Sequence, residues 1–255
     1  MTLTLDTNFE DFHSFVLQDQ ESCEYREVYK AMNKEGKEVR LILYLTDRLP
    51  ACYPDRKFNE FNISCTLHHD AFPHVFQRDT CIYHDENIEW MASEWIDGKS
   101  LGEWMTENKA MEMEKALPLF LKMLYGIKEL AIITGGGGHY NITPYHIILR
   151  QSQQGKTEPI IIGMEHAACP CNGSTPFETK TLDALYRAPE TFMGKYSQIS
   201  DVYALGLILA YMLQGTYPWK MEDREYSSEQ LRQLKRTAPE LHVPESLKNI
   251  IFKAI

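Results

Sequence analysis

The sequence predicts an α+β fold, and three observations carry that expectation. Strand-like patterning is concentrated in the first part of the chain, in segments 24–31, 39–45, 75–83 and 88–94. Helical spacing of apolar residues takes over afterwards, in 111–133 and again from Ser200 onward. The 255 residues are 44% hydrophobic and 24% charged, which suits one two-part domain or two small ones.

Charge and composition narrow the function classes. The net charge is −10 and the pI about 5.4, so a broad nucleic-acid surface is not expected. The first residues, MTLTLDTNFEDFHSF, lack a basic region followed by an apolar core, and no apolar run reaches the roughly 18 residues of a membrane helix. The six cysteines (23, 52, 65, 81, 169 and 171) are too sparse for a disulfide framework. They are expected as reduced thiols in a cytoplasmic protein.

Taken in order, residues 1–16 show no clear periodicity. Glu24 to Ala31 reads as a strand, Asn33-Lys34-Glu35-Gly36-Lys37 as a turn, and Val39 to Leu45 as a second strand. Pro50 and Pro54 interrupt, and Lys57 to His68 reads as a short helix. Val75 to Tyr83 and Ile88 to Glu94 form a hairpin around Asp85-Glu86-Asn87. From Met111 to Ile133, Met113, Leu117, Phe120, Leu121, Leu124, Ile127, Leu130 and Ala131 recur at helical spacing, and Gly135 to Gly138 stop that helix. Pro159 to Ile162 is a short strand. Ser200 is the expected N-cap of the next helix, with Asp201 in its first turn. Residues 222–240 read as charged and helical, and 241–255 as further helix.

Several stretches, in this order, resemble the motifs of the eukaryotic-type protein kinase family. His139-Tyr140-Asn141-Ile142-Thr143-Pro144-Tyr145-His146 resembles its catalytic loop, Tyr186-Arg187-Ala188-Pro189-Glu190 the end of its activation segment, and Ser200-Asp201-Val202-Tyr203-Ala204-Leu205-Gly206 its buried large-lobe helix. Glu94-Trp95-Ile96-Asp97-Gly98 resembles the hinge, with Ser93 guarding the back of the pocket. The resemblance implies a two-lobed fold: a mostly-β small lobe with an N-terminal extension over 1–96, and a helical large lobe over 97–255 that lacks its last helices and continues into a longer protein. His139, Ala188, Pro189, Glu190 and Asp201 are its structural motif residues.

The same resemblance implies lost chemistry. The family's loop glycines fall at Glu21, Cys23 and Arg26, and its strand lysine at Ile42. The residue that accepts the substrate proton falls at Asn141, the loop lysine at Thr143, and the two magnesium ligands at His146 and Gly163. The expectation is therefore a pseudokinase, not an enzyme, serving as a binding or regulatory module. It takes no cofactor, no metal and no Mg-ATP, and its partner is a protein or a covalently linked further domain. Arg40, on the cleft face of its strand, is expected to plug the nucleotide site, held by Glu60 or by hinge carbonyls near Glu94. The alternative is an unorthodox nucleotide-binding enzyme in which Arg40 or Lys30 replaces the strand lysine and Glu165 holds a metal. Glu165 stands at the family's glycine position and is expected to turn elsewhere.

Other chemistry is weaker in the sequence. Cys65 with His68, Cys81 with His84, and His166 with Cys169 and Cys171 have zinc-like spacing, but short Cys/His pairs arise by chance among six cysteines and nine histidines. Asp11 and His13 lack the nucleophile elbow that a hydrolase triad needs.

Overall fold

The computed structural model describes residues 9–18, 22, 24–48, 59–83, 85–152, 155–168, 184–222 and 226–255. The expectations for Glu21, Cys23, Pro50, Pro54, Cys52, His84, Cys169 and Cys171 lie outside them.

The first half is a five-stranded antiparallel sheet ordered β1-β2-β3-β5-β4, from β1 (Phe12–Leu17), β2 (Arg26–Asn33), β3 (Glu38–Leu45), β4 (Val75–Tyr83) and β5 (Glu86–Glu94). Alternation divides β3 between two faces. Leu41, Leu43 and Leu45 join Phe12, Tyr29 and Trp90 on one side, whereas Ile42 and Tyr44 meet Val28, Phe61 and Met91 on the other. Helix α1 (Asn59–Thr66) covers that second side. Strand β1 was not legible in the sequence. Ser14 sits at φ 57 and the pairing shifts between His13 and Val16, so a bulge breaks the alternation.

Beyond Glu94 the chain is mostly helical: α2 (Leu101–Asn108), α3 (Met113–Ile133), α4 (Gln198–Gln214), α5 (Ser228–Leu234) and α6 (Glu245–Ala254). A small sheet of β6 (Lys99–Ser100), β7 (Ile147–Gln151) and β8 (Thr157–Ile161) lies at its upper edge. The apolar face of α3, including Met123, Ile127 and Leu130, packs on Leu205, Leu207 and Ile208 of α4. This is the expected α+β, two-lobed arrangement, a mostly-β small lobe and a larger helical one.

Two helix boundaries differ from expectation. Ser197, not Ser200, caps α4 by accepting from Ile199 N at 3.2 Å. Ser200 lies inside the helix and donates to Glu190 at 2.8 Å. The helix expected over 222–240 is reduced to Ser228–Leu234, where Ser227 and Gln230 form a capping box.

Candidate functional site

The catalytic-loop stretch is held from below by Asp201. Its carboxylate accepts from His139 N at 2.6 Å and Tyr140 N at 2.8 Å. Tyr140 sits at φ 68, a left-handed conformation that these two bonds help to hold. Gly138 does more than end α3. A Cβ there would collide with the Asp201 carboxylate, so only glycine lets the carboxylate approach. Burial pushes the Asp201 carboxyl up to about 7, against the two backbone N–H donors that favour the anion. His139 is fully buried; its Nδ1 accepts from Asn141 N at 3.3 Å and its Nε2 donates to Ile162 O at 2.9 Å. Burial, then the neighbouring His146, lowers its pKa to about 4, so the ring is neutral.

Asn141 and His146 are locked together: His146 Nδ1 donates to the Asn141 carbonyl at 2.7 Å. Thr143 caps the short turn Pro144–His146. His146 and Gly163 fit each other in volume. Gly163 has φ 81, and a Cβ there would lie 2.9 Å from the His146 ring. The family's magnesium ion finds no matching donor set at these positions. An imidazole and a glycine offer no hard oxygen ligand, and no cluster of three metal-binding side chains exists among the described residues. Cys65 and Cys81 are free thiols.

The upper wall holds the main surprise. Ile42 is fully buried in its apolar cluster. Glu60 is nonetheless paired, because Arg26 reaches it from β2. Arg26 Nε lies 3.1 Å from Glu60 Oε2 and Nη2 3.3 Å from Oε1, with side-chain exposures of 4% and 1%. Register explains the reach: Arg26 pairs with Tyr44 and Val28 with Ile42, so Arg26 shares the face of Ile42 one step along the sheet. Arg26 Nη2 also lies 3.7 Å from Glu165 Oε2. Glu165 therefore turns into the cleft, contrary to expectation. Burial opposes its charge, but Arg26, His166 and His146 together hold its carboxyl well below the ordinary range. Burial lowers the His166 pKa to about 4 in spite of the adjacent Glu165.

The sequence singled out Arg26 only as a missing glycine; its role was hidden because it depends on cross-strand register. Arg40 is buried, and with Glu60, Ser93, Met91, Leu67 and Phe72 it lines a cavity of about 20 Å³, where the Glu60 carboxylate expected to hold it is bonded to Arg26. That volume admits about one water molecule. Lys30 points away, to Glu38 at 2.6 Å and over the Trp95 ring at 4.8 Å. At the hinge, Ser93 Oγ faces Arg40 O at 3.5 Å, Glu94 is occupied by Arg150 at 2.7 Å, and Ile96 is half-buried. On the large-lobe side, Ala188 is the N-cap of the turn Pro189–Met193.

A two-lobed fold with a buried carboxylate–cation pair in the cleft and an Asp-anchored loop beneath it defines the protein kinase class. The model of the protein kinase domain matches residues 23–253, and the chain belongs to that family. It is 26% identical over 181 residues to the serine/threonine-protein kinase PrkC of Bacillus subtilis, covering 67% of this chain and 26% of that protein. It is 23% identical over 177 residues to the probable serine/threonine-protein kinase PknB of Lactococcus lactis, covering 66% and 27%. The chain thus spans about a quarter of the length of these relatives. Among solved structures, that of Rad53 residues 1–466 in complex with AMP-PNP superposes with a TM-score of 0.69 at 18% identity, covering 97% of this chain and 61% of that one. No helix among the described residues is long and apolar enough to cross a membrane.

These relatives overturn one expectation. The chain was expected not to be an enzyme, yet the proteins it matches are named serine/threonine-protein kinases and its domain is the protein kinase domain. The physical source of the error is visible at Glu60. The missing strand lysine was counted as a missing cation, whereas Arg26 brings one from the neighbouring strand.

Proposed function

We propose that this domain is an unorthodox nucleotide-binding, phosphoryl-transferring member of the protein kinase family. The observation that carries this is the buried Arg26–Glu60 pair, which puts a fixed cation in the cleft without a lysine at position 42. Phosphoryl transfer depends chiefly on positioning and on neutralising charge spread over the phosphoryl oxygens. Arg26 neutralises that charge, Glu60 and Glu165 orient its guanidinium, and the Asn141 side-chain carbonyl orients the acceptor hydroxyl. A neutral amide does not take the hydroxyl proton, so as the acceptor oxygen bonds to the γ-phosphorus and the bond to the leaving ADP oxygen breaks, the proton passes to a phosphoryl oxygen. The donor set does not suit magnesium, and no step is routed through it. A thermal-shift scan with ATP, with and without Mg2+, and a phosphotransfer assay on a generic protein substrate test this role. ATP should raise the melting temperature, less so for Arg26→Ala. No shift and no transfer would overturn it.

An alternative role, a binding or regulatory module serving a protein partner or a linked domain, is favoured by His146. Its ring fills the space over Gly163 and is bonded to Asn141 O at 2.7 Å. An ATP-induced shift without transfer, lost in Arg26→Ala, would favour that role.

A further inference from the structure

Helix α3 buries one face and turns the other to solvent, and the outward face has an unusual make-up. At about 100° per residue, Leu121, Tyr125 and Ile132 fall within about 40° of one another, so they form one stripe along the outside of the helix. They are 47%, 58% and 69% exposed. The inward face leaves them no place in the core: Met123, Ile127 and Leu130 already fill the space against α4, with Leu117, Phe120 and Leu124 at its edge. A solvent-facing helical stripe is ordinarily charged or polar. This one adds only two charges, Glu114 and Lys128, and the exposed Pro118. No ion pair or hydrogen bond joins either charged group, or the Tyr125 hydroxyl, to another described residue. Lys122, on the flank of the stripe, is by contrast paired with Glu158 at 3.4 Å.

The two charges are placed symmetrically. Glu114 lies seven residues before Leu121 and Lys128 seven after it, about 10 Å each way along the helix axis. A stripe with an apolar midpoint, a carboxylate on one side and an ammonium on the other complements itself when turned end over end. About a two-fold axis at Leu121, Leu121 meets Leu121 of a second copy, and Glu114 and Lys128 each meet the opposite charge. Tyr125 then lies beside Leu117 and Pro118 of the second copy. A partner of a single charge sign would be attracted at one end of the stripe and repelled at the other. The chain carries a net charge of −10, so copies repel one another except through a face that is locally neutral, as this stripe is.

We propose that the outer stripe of α3 is a homodimer interface, in which α3 pairs antiparallel with α3 of a second copy of this chain about a two-fold axis at Leu121. The surface is separate from the Arg26–Glu60 wall and does not depend on nucleotide binding. The test is sedimentation equilibrium of the intact chain over a range of protein concentrations, with circular dichroism to verify that each variant is folded. The wild type should show a reversible monomer–dimer equilibrium. Leu121→Asp, at an exposed position outside the core, should weaken the dimer at least tenfold. Glu114→Lys and Lys128→Glu, taken singly, should each weaken it, because each sets like charges opposite one another twice in the symmetric pair. The double variant Glu114→Lys with Lys128→Glu should recover it, because both ion pairs re-form with their signs exchanged. A chain that stays monomeric throughout would assign the stripe to some other partner and overturn the proposal. A dimer that Leu121→Asp leaves unchanged, or a double reversal no tighter than the single ones, would overturn it as well.

Discussion

Arg26 and Glu60 form the buried pair on which the cleft is built, and breaking such a pair strands a charge. Arg26→Ala is expected to destabilise by about 3–5 kcal/mol in urea denaturation. The double variant Arg26→Ala with Glu60→Ala should lose less than the sum, because the second change removes the stranded carboxylate. Additive losses would mean that the two side chains do not depend on each other. Gly138 offers a second residue-scale check. Its Cβ has no room beside Asp201, so Gly138→Ala should cost about 1–3 kcal/mol, as overpacking does. A wild-type melting curve for that variant would mean that the loop lies farther from α4.

At the scale of elements, α4 carries the large lobe and its first turn carries Asp201. Loss of that acceptor in Asp201→Ala should destabilise by about 1–3 kcal/mol. Its pH dependence has a definite sign. With the folded pKa up at about 7, the native state holds a proton that the unfolded chain has released between about 3.8 and 7. The Asp201 contribution is therefore fully present below pH 3.8 and lost as pH rises through 7. His139 and His166 act oppositely: with folded values of about 4, their contribution is full above pH 6.5 and lost as pH falls toward 4. Denaturation of wild type and Asp201→Asn at several pH values between 4 and 8 isolates the first effect. The stability difference, wild type minus variant, should shrink as pH rises across that window. A difference that grows would show that the His139 and Tyr140 amides keep the carboxylate ionised.

At the scale of the whole molecule, the two lobes are tied where Arg26 faces Glu165, 3.7 Å away. Glu165→Gln removes that attraction while keeping the side-chain shape. Amide hydrogen exchange should then quicken in β2 and α1, with the α3–α4 core unchanged. Equal exchange throughout would show that packing alone holds the lobes together.

Much of this molecule was legible along the chain. The alternation in β2 to β5 and the helical spacing of α3 each report a local period that burial imposes, and the two-lobed arrangement followed from the resemblance of motifs such as Ser200 to Gly206 to the kinase family. Strand β1 escaped because a bulge at Ser14 broke its period. Positions 42, 141, 146 and 163 were also readable, since motif spacing is a property of sequence. Which side chain reaches Glu60 was not readable. That depends on strand register, which sets Arg26 beside Tyr44, and on the turn that brings Glu165 under both. Tyr145, Tyr186 and Tyr211 lie in segments dozens of residues apart. Only tertiary packing, which joins the catalytic-loop turn, the stretch before Pro189 and the end of α4, puts them around one cavity.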